Sequence, residues 1–147
     1  MNTKNLTKLL TYSGSIPFIL LTIISFSGKE YILQINITEA LIFYSAIILS
    51  FISGIHFSYA ILKNLSYKST LITSVTIALF SCLSLLVNIK TGFIILIACY
   101  IIYIIIDRFA YEKKFISKWF YELRRNISII VILCLVSIAI NIDIELI

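Results

Sequence analysis

Long apolar runs separated by short polar punctuation make up almost the whole chain. Five of them, at about 6–27, 38–62, 69–88, 91–107 and 126–142, carry few charges. A helix crosses a hydrocarbon core of about 30 Å with roughly 20 apolar residues, at about 1.5 Å per residue. The pattern therefore predicts one all-α membrane domain over residues 1–147, a bundle of five transmembrane helices. The fourth and fifth runs have brief apolar centres. Their spans need flanking residues, or a tilt, to complete them.

The punctuation sets the expected joints. Gly14 and Pro17 interrupt the first run. Proline removes one helical hydrogen bond, so a kink is expected there, with a neighbouring helix covering the freed carbonyl. The competing reading of this run is a cleaved leader, with Lys4 and Lys8 as its basic end and Ser25-Phe26-Ser27 as a small-x-small cut site. A short loop with Lys29 and Glu30 follows. Asn36 and Glu39 then have the spacing of a capping box opening the second helix. The linker 63–68 is basic and polar. The tight 88–92 connection predicts an antiparallel hairpin of the third and fourth helices. Tyr100 and Tyr103, near the end of the fourth run, fit an interfacial aromatic belt.

The one long polar connection, 107–126, holds six of the twelve basic residues. Phe115, Ile116, Trp119, Phe120 and Leu123 recur on one helical face. A basic amphipathic connection between helices four and five is therefore expected, lying in the headgroup layer with Trp119, Phe120, Arg124 and Arg125 as interfacial anchors. Equally consistent is an extension of the two flanking helices. Basic residues at this surface would attract anionic lipids.

The second run looks central. It has no charge after Glu39, and Ala46, Ser50, Gly54 and Ser58 follow one another at intervals of four. With Ser53, these small residues predict a ridge against which another helix backbone packs closely.

Composition supports the membrane reading. Hydrophobic residues make up 61% and charged residues 13% of the 147, and mean hydropathy is +1.07. Soluble domains average about 45–50% apolar and about 25% charged, so the excess must face lipid. The net charge of +5 then reports orientation and not nucleic-acid binding. With five spans, ten basic residues fall on one side and only Lys29 and Lys90 on the other. This places the N-terminus inside and the C-terminus outside a cytoplasmic (inner) membrane, or across the mitochondrial inner membrane with the matrix as the inside.

Candidate chemistry is sparse. The sequence has no phosphate-binding glycine loop, nucleophile elbow, zinc-protease motif or paired carboxylates, so no catalytic residue, metal or cofactor is predicted. Cys82, Cys99 and Cys134 lack ligand spacing and read as small apolar residues. His56, the single histidine, lies inside the second run. It is either a proton or ligand site or an interhelical hydrogen-bonding group. Asp107 and Arg108 close the fourth run, most simply as a solvated pair, and complete a candidate polar site with His56.

Three blocks carry a resemblance. Gly14-Ser15-Ile16-Pro17-Phe18 is the first. The second spans 44–57, with Ser50, Gly54 and His56 inside it. The third joins Asp107-Arg108 to Trp119-Phe120 and Leu123-Arg124. Together they resemble a family of small uncharacterised membrane proteins related to transmembrane protein 69, a domain of unknown function. The chain departs from that pattern at Ser53, Phe57 and Ser58, where glycine, tryptophan and glycine are expected. The resemblance implies a bacterial or mitochondrial membrane location and no established reaction. The expected function is a non-enzymatic membrane protein acting through helix packing with itself or a membrane partner complex. The alternative is a small transporter or proton-coupled carrier using His56.

Overall fold

A computed structural model describes residues 2–27, 31–32, 35–62 and 68–144. Helices α1 (Thr3–Ser13) and α2 (Ile16–Phe26) run end to end. A two-residue ladder, β1 (Tyr31–Ile32) against β2 (Ile35–Asn36), leads into α3 (Ile37–Leu62). Then come α4 (Lys68–Leu83), α5 (Ile89–Glu112) and α6 (Lys118–Ile144). The ladder is antiparallel, pairing Tyr31 with Asn36 and Ile32 with Ile35. Lys29, Glu30, the linker residues 63–67 and Glu145 lie outside the described residues.

The all-α reading holds for the helical body, but among the described residues only four segments are long and apolar enough to cross a membrane: Thr3–Phe26, Ile37–Leu62, Ile89–Glu112 and Lys118–Ile142. The fifth, α4, has 16 residues. At about 1.5 Å per residue it reaches only about 24 Å.

The break between α1 and α2 falls at Gly14 and Ser15, so Pro17 starts a new helix and does not bend a continuous one. Proline is tolerated in a first turn because its missing N–H has no intrahelical partner there anyway. The break is covered from both sides. Tyr44 Oη of α3 donates to the Gly14 carbonyl at 2.9 Å, and Ser15 Oγ donates to the Tyr12 carbonyl at 2.7 Å. Asn36 caps α3 by accepting from the Thr38 and Glu39 amides at 2.9 and 3.2 Å. Asn88 does the same for α5 at Thr91, 2.9 Å.

The 107–126 stretch is not a separate interfacial helix. Helix α5 extends to Glu112 and α6 begins at Lys118, leaving only 113–117 between them. Ile116 and Leu123 are buried inside the bundle, so the apolar face that suggested the headgroup layer is covered by protein. Helix α5 ends with Lys114 in the left-handed region (φ 59°), and the Phe115 amide reaches back to the Ala110 carbonyl at 2.9 Å. That is the usual way to satisfy a helix's last carbonyls.

Helix α3 packs chiefly on α4, and α5 on α6, with α3 also crossing α2 and α5. Three helices contribute seams of alternating three- and four-residue spacing. On α3 the seam is Ile42, Ala46, Leu49, Ser53, His56 and Ala60. On α5 it is Phe93, Leu96, Tyr100, Tyr103 and Asp107. On α6 it is Arg124, Ser128, Val131, Leu135 and Ile138; all of these residues are buried. A mean spacing of 3.5 keeps residues on one line, whereas strict steps of four drift around the helix. That drift is why the expected ridge fails along its length: Ala46 and Ser53 are buried, Ser50 is half-buried, and Gly54 and Ser58 face outward. A Cβ on Gly54 would meet nothing within 4 Å.

Tyr100 and Tyr103 also depart from expectation. Both are about 1% exposed, inside the bundle and not in an aromatic belt. Tyr100 Oη donates to the Ser45 carbonyl at 3.3 Å. Cys99 and Cys134 are buried and Cys82 is exposed.

Candidate functional site

Each of the three seams carries an ionisable residue at the same end of the bundle. His56 comes from the last third of α3, Asp107 from the end of α5 and Arg124 from the start of α6. They are 6%, 2% and 8% exposed. Asp107 uses both oxygens: Oδ2 accepts from Arg124 Nε at 2.9 Å, and Oδ1 lies 3.1 Å from His56 Nε2. Arg124 Nη2 lies 3.0 Å from that same ring nitrogen.

This nitrogen has two claimants of opposite kind. It either carries a proton and donates to the carboxylate, or it is bare and accepts from the guanidinium. It cannot do both at once. The protonation and tautomer of His56 therefore decide whether Arg124 or Asp107 holds the ring.

Neighbouring aromatic groups fix the three. The Tyr103 ring stacks on the imidazole, with centroids 4.9 Å apart and planes 18° off parallel. Tyr103 Oη is hydrogen-bonded to Ser53 Oγ, one turn before His56. The Phe120 ring lies 5.7 Å from the Arg124 guanidinium carbon, one turn earlier on α6. Stacking and one-turn spacing hold the polar side chains in place.

The triad opens onto space. A cavity of about 290 Å³ is lined by His56, Asp107 and Arg124, by the α4 hydroxyls of Ser69, Thr70 and Thr73, by Lys113, and by an apolar wall that includes Ile106, Phe109 and Ile116. A second cavity, of about 430 Å³, lies toward α1 and α2 and is lined by Thr7, Thr11, Phe18, Ile52 and Tyr100 among others. Arg124 and Phe120 border both.

Of the expected polar site, the structure brings His56 and Asp107 together and leaves Arg108 out. Successive helical residues point about 100° apart. Asp107 turns inward, while Arg108 pairs with Glu112 on the outside at 3.0 Å. Among the expected anchors, Trp119 is half-buried with the Lys4 amine 5.4 Å from its ring, and the Arg125 guanidinium lies 5.5 Å from the Tyr121 ring. Arg124 is no anchor, because Asp107 draws it into the core. Counting α6 from Lys118 would have found it, since Arg124 sits seven and fourteen residues before Val131 and Ile138 on the buried seam. No group of three or more His, Cys, Asp or Glu side chains suited to a metal ion occurs among the described residues.

A family model described as protein of unknown function (DUF3429) matches residues 3–140. No curated protein and no solved structure matches the chain.

Proposed function

We propose the activity from the site itself, because the chain belongs to the DUF3429 family and that family is described only as of unknown function. The reading is a membrane carrier for a small solute, with His56, Asp107 and Arg124 as its binding centre and His56 as its proton-accepting group. The observation that carries it is the convergence of three ionisable side chains from three helices on one cavity. Ionisable groups at membrane depth are costly, and they mark substrate or proton paths more often than they stabilise. Reconstituted vesicles holding a pH-sensitive dye test it. A panel of small solutes applied under a proton gradient should include at least one that moves protons with it, and His56→Gln, and Ala110→Phe, which fills the cavity that Ala110 also lines, should each abolish that movement in folded protein. A panel with no active solute, or flux indifferent to His56→Gln, overturns the reading.

A second reading, assembly with itself or with a membrane partner, is favoured by the outward Gly54 and Ser58, beside a shallow groove that also includes Phe51 and Leu62. Gly54→Leu should then change complex size in native gels, and an unchanged size counts against it. Kinship with transmembrane protein 69 belongs to the proposal too, resting on the blocks at 14–18, 44–57 and 107–124. So does the location: an inner membrane, bacterial or mitochondrial, with the basic end inside, the C-terminus outside, α4 crossing as a short span, and anionic lipid around Lys8, Lys114 and Lys118.

A further inference from the structure

We infer that the cavity takes a small organic monoanion and that His56 takes up one proton for each anion bound. The inference rests on the carrier reading and names its solute class and stoichiometry. It begins from charge. Asp107 and Arg124 cancel, so with His56 neutral the triad carries no net charge. An anion placed beside it would leave one uncompensated negative charge in a poorly solvated site, which is strongly unfavourable. A proton on His56 restores neutrality. Conversely, a protonated His56 without an anion leaves one excess positive charge. Each therefore favours the other, which is thermodynamic coupling in both directions.

The hydrogen bonds supply a mechanism. With Nε2 bare, Arg124 Nη2 is held by the ring at 3.0 Å. When Nε2 gains a proton from water, it donates to Asp107 Oδ1, already 3.1 Å away. Arg124 Nη2 then loses its acceptor and faces a like charge, while Nε stays on Asp107 Oδ2. The freed N–H group is the donor an anion needs, on a residue that lines the cavity. The N–H that forms takes its proton from a hydronium ion of the solvent, whose O–H bond breaks; no other covalent bond changes.

Other groups around His56 agree with an anion. Tyr103 and Asp107 face it from α5 and Arg124 from α6, while α4 offers only hydroxyls, Ser69, Thr70 and Thr73. Tyr59, three residues on in α3, and Lys113 complete the titratable lining; Lys113 is exposed, so water screens its charge and it does not offset an anion held beside the buried triad. The apolar wall requires an organic body. At about 30 Å³ for each water-sized group, 290 Å³ holds about ten of them, enough for the whole of a small soluble acid.

The test is calorimetric titration of the purified protein with benzoate, benzenesulfonate, benzamide and oleate, in two buffers of different ionisation enthalpy. Benzenesulfonate stays anionic, so any proton taken up must go to the protein. The expected result is one proton per benzenesulfonate, an about tenfold loss of affinity for each unit rise in pH over which that proton is taken up, and no uptake in His56→Gln. A His56→Gln variant that fails to fold leaves the wild-type proton count and pH slope as the decisive readings. Zero proton uptake, uptake that survives in folded His56→Gln, or binding of oleate alone overturns the inference. Binding of benzamide without either small anion also overturns it, but leaves the carrier reading standing. No binding by any of the four, with no active solute in the vesicle panel, removes both.

Discussion

Arg124 and His56 stand 68 residues apart in the chain, yet Nη2 of one reaches Nε2 of the other at 3.0 Å. The contact exists only because Asp107 holds Arg124 by Nε and leaves the far end of the guanidinium free to meet the ring. Asp107 is therefore the organising member, although it is the one the sequence most readily assigns to the surface.

Asp107→Asn should consequently be the most damaging single change at the site. It leaves Arg124 buried without a counter-charge, a situation that costs about 3–5 kcal/mol. Replacing both partners with apolar groups of similar shape, as Asp107→Leu with Arg124→Met, should recover most of that loss, because the desolvation of two charges is removed together. Denaturant unfolding in detergent reads the two variants. Proton-linked flux should remain absent in both, which separates folding from function.

How much of this was legible in the sequence depends on which period is read. Four long apolar segments and the cap of α3 follow from apolar run length and from Asn36. Their seams do not follow from the most visible spacing. Ala46, Ser50, Gly54 and Ser58 catch the eye because the residues are small, but steps of four rotate off the buried line by Gly54. The buried line, from Ile42 through Leu49 to His56, mixes apolar and polar types and so looks unremarkable. Arg124 was hidden by a helix boundary: a helix start that carries Lys118, Glu122, Arg125 and Asn126 around it reads as a surface connection until its neighbours are known. Only the fold shows that Asp107 waits opposite it.

Two glycines differ in what a Cβ would meet. A Cβ on Gly92 would sit 2.7 Å from the Ser84 carbonyl oxygen, where α5 starts against the end of α4. Backbone cannot move aside as a flexible side chain can. Gly92→Ala should cost about 1–3 kcal/mol and loosen the α4–α5 hairpin. Gly54→Ala, with open space around it, should leave the stability of the monomer unchanged or slightly improved by helix propensity. Thermal unfolding of the two variants side by side checks the contrast.

Lys114 offers a change in the other direction. Its φ of 59° is a conformation that costs a residue with a Cβ roughly 1–2 kcal/mol, and it terminates α5 between the two helices that carry Asp107 and Arg124. Lys114→Gly should relieve part of that strain and raise stability by up to about 1 kcal/mol. A gain in denaturant midpoint with an unchanged slope is the expected signature. A loss would mean that the lysine side chain supports the turn more than its backbone angle burdens it.

Tyr44→Phe tests the joint between α1 and α2. The hydroxyl is removed and the ring remains, tilted against Phe18 with centroids 4.9 Å apart. The change therefore isolates the 2.9 Å hydrogen bond to the Gly14 carbonyl. That carbonyl lies beside the helix break, and an unsatisfied polar group away from water costs about 1–3 kcal/mol. Stability should fall by about that amount, and amide exchange should rise first around residues 14–18, because the broken helix depends on α3 for what its own backbone cannot supply. Exchange rising instead at α5 or α6, or no change at 14–18, would show that water or the helix itself satisfies Gly14.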